Sequence, residues 1–197
     1  MPKIIDHDER RREIIDVTWK LIVDGGLESV TMREIANAAG FANGALKHYF
    51  PSKDDIVEAT YERALEVMTE RVVAAVEEQR GLAALRELCW AAMPLDEEGI
   101  TAGRVLLPFW ELSLSNQRLY DHYLEHLENW RRQLFGLLAQ AREDGDVVVD
   151  TPDEQLVDEL IVMNVGANVM ALIGPRLSTP TLHEAHLTAF FDRITAR

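Results

Sequence analysis

Cysteine is all but missing. Cys89 is the only one in 197 residues, which excludes an intramolecular disulfide and any cysteine-based metal cluster. It sits in the apolar run 85–92 and reads as a buried structural thiol, since a redox sensor needs an exposed, acidified thiolate. No stretch of about 20 uninterrupted apolar residues is present. Nor is there a cationic leader, because MPKIIDHDERRR passes straight into a charged helix. The expectation is a cytoplasmic chain with no membrane partner. No nucleophile–histidine motif, phosphate-cradling glycine loop or cofactor fingerprint occurs, so the chain reads as a non-enzyme without a cofactor. Strand-rich, repeated and low-complexity segments are absent too.

Lysine is the most unevenly distributed residue: none occurs beyond Lys53. The net charge of −14 argues against a polyanionic partner until the chain is divided. Residues 1–53 hold eight Lys+Arg and eight Asp+Glu, whereas residues 54–197 hold 12 Arg and 26 Asp+Glu. The N-terminal part therefore has Lys3, Arg10, Arg11, Arg12, Arg33, Lys47 and Lys53 available for phosphate, with the acidic body held away from it. With 47% hydrophobic residues, the chain can bury a real core as one large or two small domains.

The segment TMREIANAAGFANGALKHYFPSK, residues 31–53, carries the most information. Thr31 followed by Glu34 is a capping box, in which the hydroxyl accepts from the Glu34 N–H and the carboxylate accepts from the Thr31 N–H. Met32, Ile35, Ala36 and Ala39 give the resulting helix one apolar face, and Gly40 provides a left-handed stop. A second short helix is predicted from Ala42 or Asn43 to His48, anchored by Phe41, Leu46 and Phe50. Asn43, Ala45, Lys47 and His48 face outward from it. Pro51 ends it, and Ser52 with Asp55 caps the next helix. Two short helices joined by a glycine turn make a helix-turn-helix, whose second helix enters the major groove. An ordinary helical hairpin shares this turn chemistry.

The run Ala39-Gly40, Gly44, Leu46 and His48-Tyr49-Phe50-Pro51-Ser52-Lys53 closely resembles the signature of the TetR family of transcriptional regulators. The match extends upstream through Ile14, Ile15, Leu21, Gly25-Gly26-Leu27 and Thr31 to Ile35-Ala36. The resemblance implies an all-α protein in which an N-terminal three-helix DNA-binding domain is joined by a long helix to a helical domain for ligand binding and dimerisation. The boundary is placed between residues 55 and 56. Three positions depart from the family pattern: Ala42 stands where Ser is usual, Lys47 where Tyr is common, and Ala45 where Thr or a similar polar residue is frequent. Further on, Arg104-Val-Leu-Leu-Pro-Phe-Trp-Glu-Leu followed by a long helix is similar to the C-terminal domain of the BetI-like branch.

Helices are predicted over residues 8–24, 52–79, 82–93, 96 onward through Pro108, 117–143, 152–173 and 181–195. A connector at Val147-Val148-Val149 is read as extended. Dimerisation is expected through helices 117–143 and 152–173. The latter is apolar nearly all round, and Asn164 and Asn168 share one of its faces. Those asparagines either hydrogen-bond across a helix interface or line a cavity. The resemblance places the ligand pocket among Met68, Trp90, Met93, Arg104, Leu106, Phe109, Trp110, Tyr123, Leu127, Trp130, Met163, Asn164, Ala167 and Met170. Methionine and broad aromatics there favour a largely apolar effector, with Asn, Tyr or Arg104 fixing a polar end. His122 and His126 stand four apart with Glu125 between them, but no third ligand is set by spacing, so no metal site is assigned. His183 and His186 form a looser pair.

These readings combine into a homodimeric regulator, a repressor on an approximately palindromic double-stranded DNA operator, released by a small-molecule effector. Thr31, Arg33, Lys47, His48, Tyr49 and Lys53 are assigned to phosphate and positioning contacts. Asn43, with Ala45 and Lys47, is the candidate base reader, and Ala42 and Gly44 complete the DNA-facing set. The alternative is a protein-interaction or ligand-storage module of the same fold that does not read DNA.

Overall fold

The computed structural model describes residues 7–42, 44–76 and 78–196. Among them are eight α-helices and no strand: α1 (His7–Gly25), α2 (Met32–Ala38), α3 (Lys53–Val76), α4 (Gly81–Ala92), α5 (Glu97–Ser113), α6 (Gln117–Glu143), α7 (Asp153–Ile173) and α8 (Pro180–Thr195). Short 3₁₀ turns occur at Leu27–Ser29 and Leu46–His48.

Local chemistry explains most of the helix ends. Thr31 Oγ1 accepts from Glu34 N at 3.2 Å and Glu34 Oε2 accepts from Thr31 N at 2.9 Å, closing the expected capping box. Gly40 takes φ +74°, where a Cβ is strained, and Phe41 N–H reaches back to Ala36 O at 2.8 Å. Ser52 and Asp55 cap α3 reciprocally, with Ser52 N donating to Asp55 Oδ2 at 2.9 Å and Asp55 N donating to Ser52 Oγ at 3.3 Å. Pro108 lies inside α5, as the sequence predicts.

The second short helix is a correction. Only Leu46–His48 is regular among the described residues: the bonds from Ala45 to Ala42, His48 to Ala45 and Tyr49 to Leu46 are of the three-residue type, and a single four-residue bond, from Phe50 N to Leu46 O at 3.0 Å, closes the segment. No side chain caps its start. Gly44 adds a propensity cost of about 1 kcal/mol relative to alanine, and so short a segment cannot repay helix nucleation. The 147–149 connector forms no strand, although Val148 N donates to Ile194 O at 2.9 Å.

Two apolar clusters organise the chain. The first joins Ile14, Ile35, Leu46 and Phe50 of the N-terminal unit to Ile56 and Tyr61 of α3, Leu106 and Phe109 of α5 and Leu119 of α6. The second packs α4, α6, α7 and α8 around Leu85, Leu134, Leu138, Leu160, Leu187 and Phe191. The first core thus crosses the proposed 55/56 boundary. Helix α7 has the length and apolarity of a membrane-crossing helix, but it packs on α4, α5 and α6. Val162, Met170 and Ile173 remain exposed on it, next to Leu177 and Leu182.

Candidate nucleic-acid interface and ligand cavity

The N-terminal face is built from the start of α2 and the turn that follows it. Thr31, Arg33, Ala42, Gly44, Lys47 and His48 are exposed, while Ala45 is half-buried and Leu46 anchors the turn in the core. Arg33 and Lys47 have no ion-pair partner among the described residues, so both charges are free for phosphate. Asn43, the candidate base reader, lies outside the described residues, as does Lys3. Tyr49 is partly covered: His7 packs on its ring at 4.7 Å, Phe41 meets it edge-on at 5.4 Å, and Arg11 donates to its carbonyl. The Arg11 guanidinium also lies 4.0 Å over the Phe50 ring, which ties α1 to the reading turn. Lys53 is half-buried and donates to Leu27 O at 3.1 Å, so its ammonium also braces the 3₁₀ turn before α2.

A cavity of about 300 Å³ lies immediately above this head. Its walls are Tyr61, Leu65, Met68, Thr69, Val72 and Val73 of α3, Leu106 and Trp110 of α5, and Ala92 at the end of α4. Helix α6 adds Tyr123, His126, Leu127, Asn129, Trp130 and Gln133, and α7 adds Asn164, Val165 and Asn168. No Lys, Arg, Asp or Glu is among these residues. A more open groove shares Leu65 and Thr69 with it and carries Glu62, Glu66 and Glu70.

Seven sequence-assigned residues come together here: Met68, Leu106, Trp110, Tyr123, Leu127, Trp130 and Asn164. Seven do not. Phe109 is buried behind the wall, stacked on Tyr61 at 3.6 Å. Arg104 points away and donates to Val23 O of α1 at 3.4 Å. Trp90 packs near Phe191 at 5.7 Å, and Met93, Met163 and Ala167 belong to the second core. Met170 is on the outward side of α7. A helix that is apolar all round gives no rotational phase, so the sequence did not set which of Met163, Asn164, Ala167 and Met170 face the cavity, and only Asn164 does. The missed α3 residues Tyr61, Leu65, Thr69 and Val72 do share a helical repeat with Met68, so that signal was available.

The asparagines satisfy both readings. Asn164 Nδ2 donates to Ala92 O at 2.7 Å across to α4, and Asn168 Nδ2 donates to Asn164 O at 3.0 Å, while both line the cavity. Asn168 Oδ1 is buried against α5 without a hydrogen bond among the described residues, and buried Tyr61 Oη has only the adjacent Trp110 indole beside it, short of full hydrogen-bond geometry. Such an unmade bond costs about 1–3 kcal/mol. Burial pushes the Tyr61 phenol upward, and the adjacent Trp110 indole opposes this only in part. Burial likewise lowers His126, with His122 adding to the effect.

The beginning of α6 grips the beginning of α3. Asn116 Nδ2 donates to Asp54 at 3.1 Å, and Arg118 reaches Asp55 at 2.8 Å and Glu58 at 3.1 Å. His122 lies 3.3 Å from Glu58 and 3.9 Å from Glu62, so its partners are carboxylates of α3. Ser52 and then Arg118 hold the Asp55 carboxyl below its usual range. The carboxylate that caps α3 is thus also held by the helix that forms one cavity wall.

Comparison with known proteins agrees with both halves. Residues 14–60 match the family described as bacterial regulatory proteins, tetR family, and residues 81–196 match the C-terminal domain of the BetI-type transcriptional repressor. The HTH-type transcriptional regulator PksA of Bacillus subtilis is 27% identical over 177 residues, covering 89% of this chain and 84% of PksA. The BetI regulator of Burkholderia ambifaria is 31% identical over 146 residues, 71% of this chain and 72% of its own. A putative transcriptional regulator from Saccharomonospora viridis, solved in complex with choline, superposes with a TM-score of 0.88 at 25% identity, covering 96% of this chain and all of that one.

Proposed function

The chain belongs to the TetR family of bacterial transcriptional regulators and carries a BetI-type C-terminal domain, and from that premise we propose that it is an operator repressor released by a small, largely apolar effector bound in the α3–α7 cavity. The observation that carries this reading is the double role of Tyr61. It lines the cavity, and it stacks on Phe109 in the same apolar core that holds Ile35, Leu46 and Phe50 of the DNA-reading unit. Anything that displaces Tyr61 or α6 acts on α3, the helix connecting cavity to head. Release then requires the effector to prefer the separation of heads that cannot span the operator.

In this reading Arg33, Lys47 and His48 supply positioning contacts with Thr31, Tyr49 and Lys53, while Asn43 and Ala45 face the bases. A dimer places the two reading turns in successive major grooves, about 34–36 Å apart. The exposed apolar side chains Val162, Met170, Ile173, Leu177 and Leu182 support a dimer face on α7 and α8 rather than on α6 with α7. On α6 the outward residues Asp121, Glu125, Glu128 and Arg132 are charged.

A second reading of the effector is an organic cation. Tyr61, Trp110, Tyr123 and Trp130 present aromatic faces, and the neighbouring Glu62, Glu66 and Glu70 favour positive charge at the mouth. The relative bound to choline supports it.

Selection of bound duplexes from a random pool, at two salt concentrations, tests the regulator. Recovery of a two-fold symmetric site whose binding weakens steeply with salt is the expected result. Absence of any selected motif would favour the storage-module alternative.

A further inference from the structure

The start of α1 meets the reading turn through the three aromatic side chains that flank it. His7 packs on the Tyr49 ring at 4.7 Å, the Arg10 guanidinium lies 5.8 Å from the Phe41 ring centre, and the Arg11 guanidinium lies 4.0 Å over Phe50. Arg11 adds a hydrogen bond to the backbone of the turn, donating to the Tyr49 carbonyl across 38 residues of sequence. It is half-buried.

The turn needs such a brace. Its bonds from Ala45, His48 and Tyr49 are of the weaker three-residue kind, no side chain caps its start, and Pro51 brings no N–H to its end. Leu46 and Phe50 are buried, which fixes the depth of the segment along the line joining them and leaves its rotation about that line to other contacts. A guanidinium suits this task because it is planar: it lies flat on the Phe50 ring while one edge reaches the Tyr49 carbonyl. A lysine ammonium, a point charge on a flexible stem, cannot do both. The same geometry directs the Arg11 charge into the head, in contrast to exposed Arg33 and Lys47.

Resting on the reading of the segment around Leu46–His48 as the DNA-reading turn, we infer that Arg11 is a positioning residue for operator recognition. It sets the rotation of the turn from the α1 side, through the Phe50 ring and the Tyr49 carbonyl, and makes no phosphate contact of its own.

Contacts to base edges depend on exact placement of the reading residues, whereas attraction to phosphate does not, so the two roles of an arginine separate in one binding experiment. Titrations of the full chain compare the operator recovered by duplex selection with a scrambled duplex of the same length, each over a range of salt concentrations. Arg11→Met, which removes the charge and the donor, should weaken operator binding about tenfold. It should leave the scrambled duplex and its salt slope unchanged. Arg11→Lys, which restores the charge without the plane, should behave as Arg11→Met does. A phosphate contact gives the opposite pattern: both duplexes weakened, a salt slope smaller by about one, and recovery with lysine. That pattern would overturn the inference. Equal losses on both duplexes without recovery by lysine would make Arg11 merely structural and overturn it too, as would operator binding unchanged in Arg11→Met. Lys47→Glu controls the premise: if it leaves operator binding intact, the turn does not read DNA, and the inference falls with that reading whatever Arg11 does.

Discussion

Thr31 is the best example of a residue whose role is written in its neighbours. Its hydroxyl and the Glu34 carboxylate satisfy two backbone donors at the start of α2, and removing one half leaves a donor to water. Thr31→Ala should cost about 1 kcal/mol of stability, read as a lower urea midpoint with an unchanged slope. His126 and His183 make the fold sensitive to acid. Burial lowers both below their ordinary 6.5, helped by His122 and His186 respectively. The unfolded chain therefore takes up protons that the native chain refuses, so stability is full above pH 6.5 and falls as the pH drops below it. Urea midpoints at pH 7.5 and 5.5 check this, and a His126→Gln, His183→Gln double variant should show a flatter difference. Cys89 is the inert case: full burial raises its thiol to about 12, and the residue packs in the second core.

Among the elements, α3 and α6 are the pair through which cavity and head communicate in the proposed mechanism. The contacts of Asn116, Arg118 and His122 with Asp54, Asp55, Glu58 and Glu62 are partly exposed, so each contributes little to stability, about 0–1 kcal/mol. Their expected consequence is in coupling. Arg118→Ala should alter melting only slightly, yet reduce the ratio of operator affinities measured without and with effector, because α6 can then shift without moving the first turn of α3. An unchanged ratio would assign the relay to the Tyr61–Phe109 stack alone. The reading turn marks a limit of element prediction. Its apolar anchors Leu46 and Phe50 were legible and are buried, but its helical form was not, because Gly44 and the uncapped start leave it as 3₁₀.

For the whole molecule, the separation of charge and the exposed apolar strip have different consequences. With an acidic body and a balanced head, DNA affinity should depend on a few cations of the head, in the proposed reading chiefly Arg33 and Lys47, and hence on salt. The strip on α7 and α8 should hold the dimer. Val162 is 70% exposed, so a charge there disturbs no internal packing. Val162→Asp should yield a folded monomer by sedimentation, with helicity retained and operator binding lost. A variant that remains dimeric would move the interface elsewhere.

The sequence by itself determined the helical class, nearly every helix end, the capping boxes, the left-handed Gly40 and the family, because those depend on near-neighbour spacing and backbone chemistry. Tertiary structure alone decided the rotation of α7, the burial of Phe109 behind Tyr61, the withdrawal of Arg104 to α1 and the grip of α6 on the cap of α3. These depend on which helix lies opposite which. A helix that is apolar on all sides encodes no preferred face, and a charged residue on a surface does not encode its partner 63 residues away.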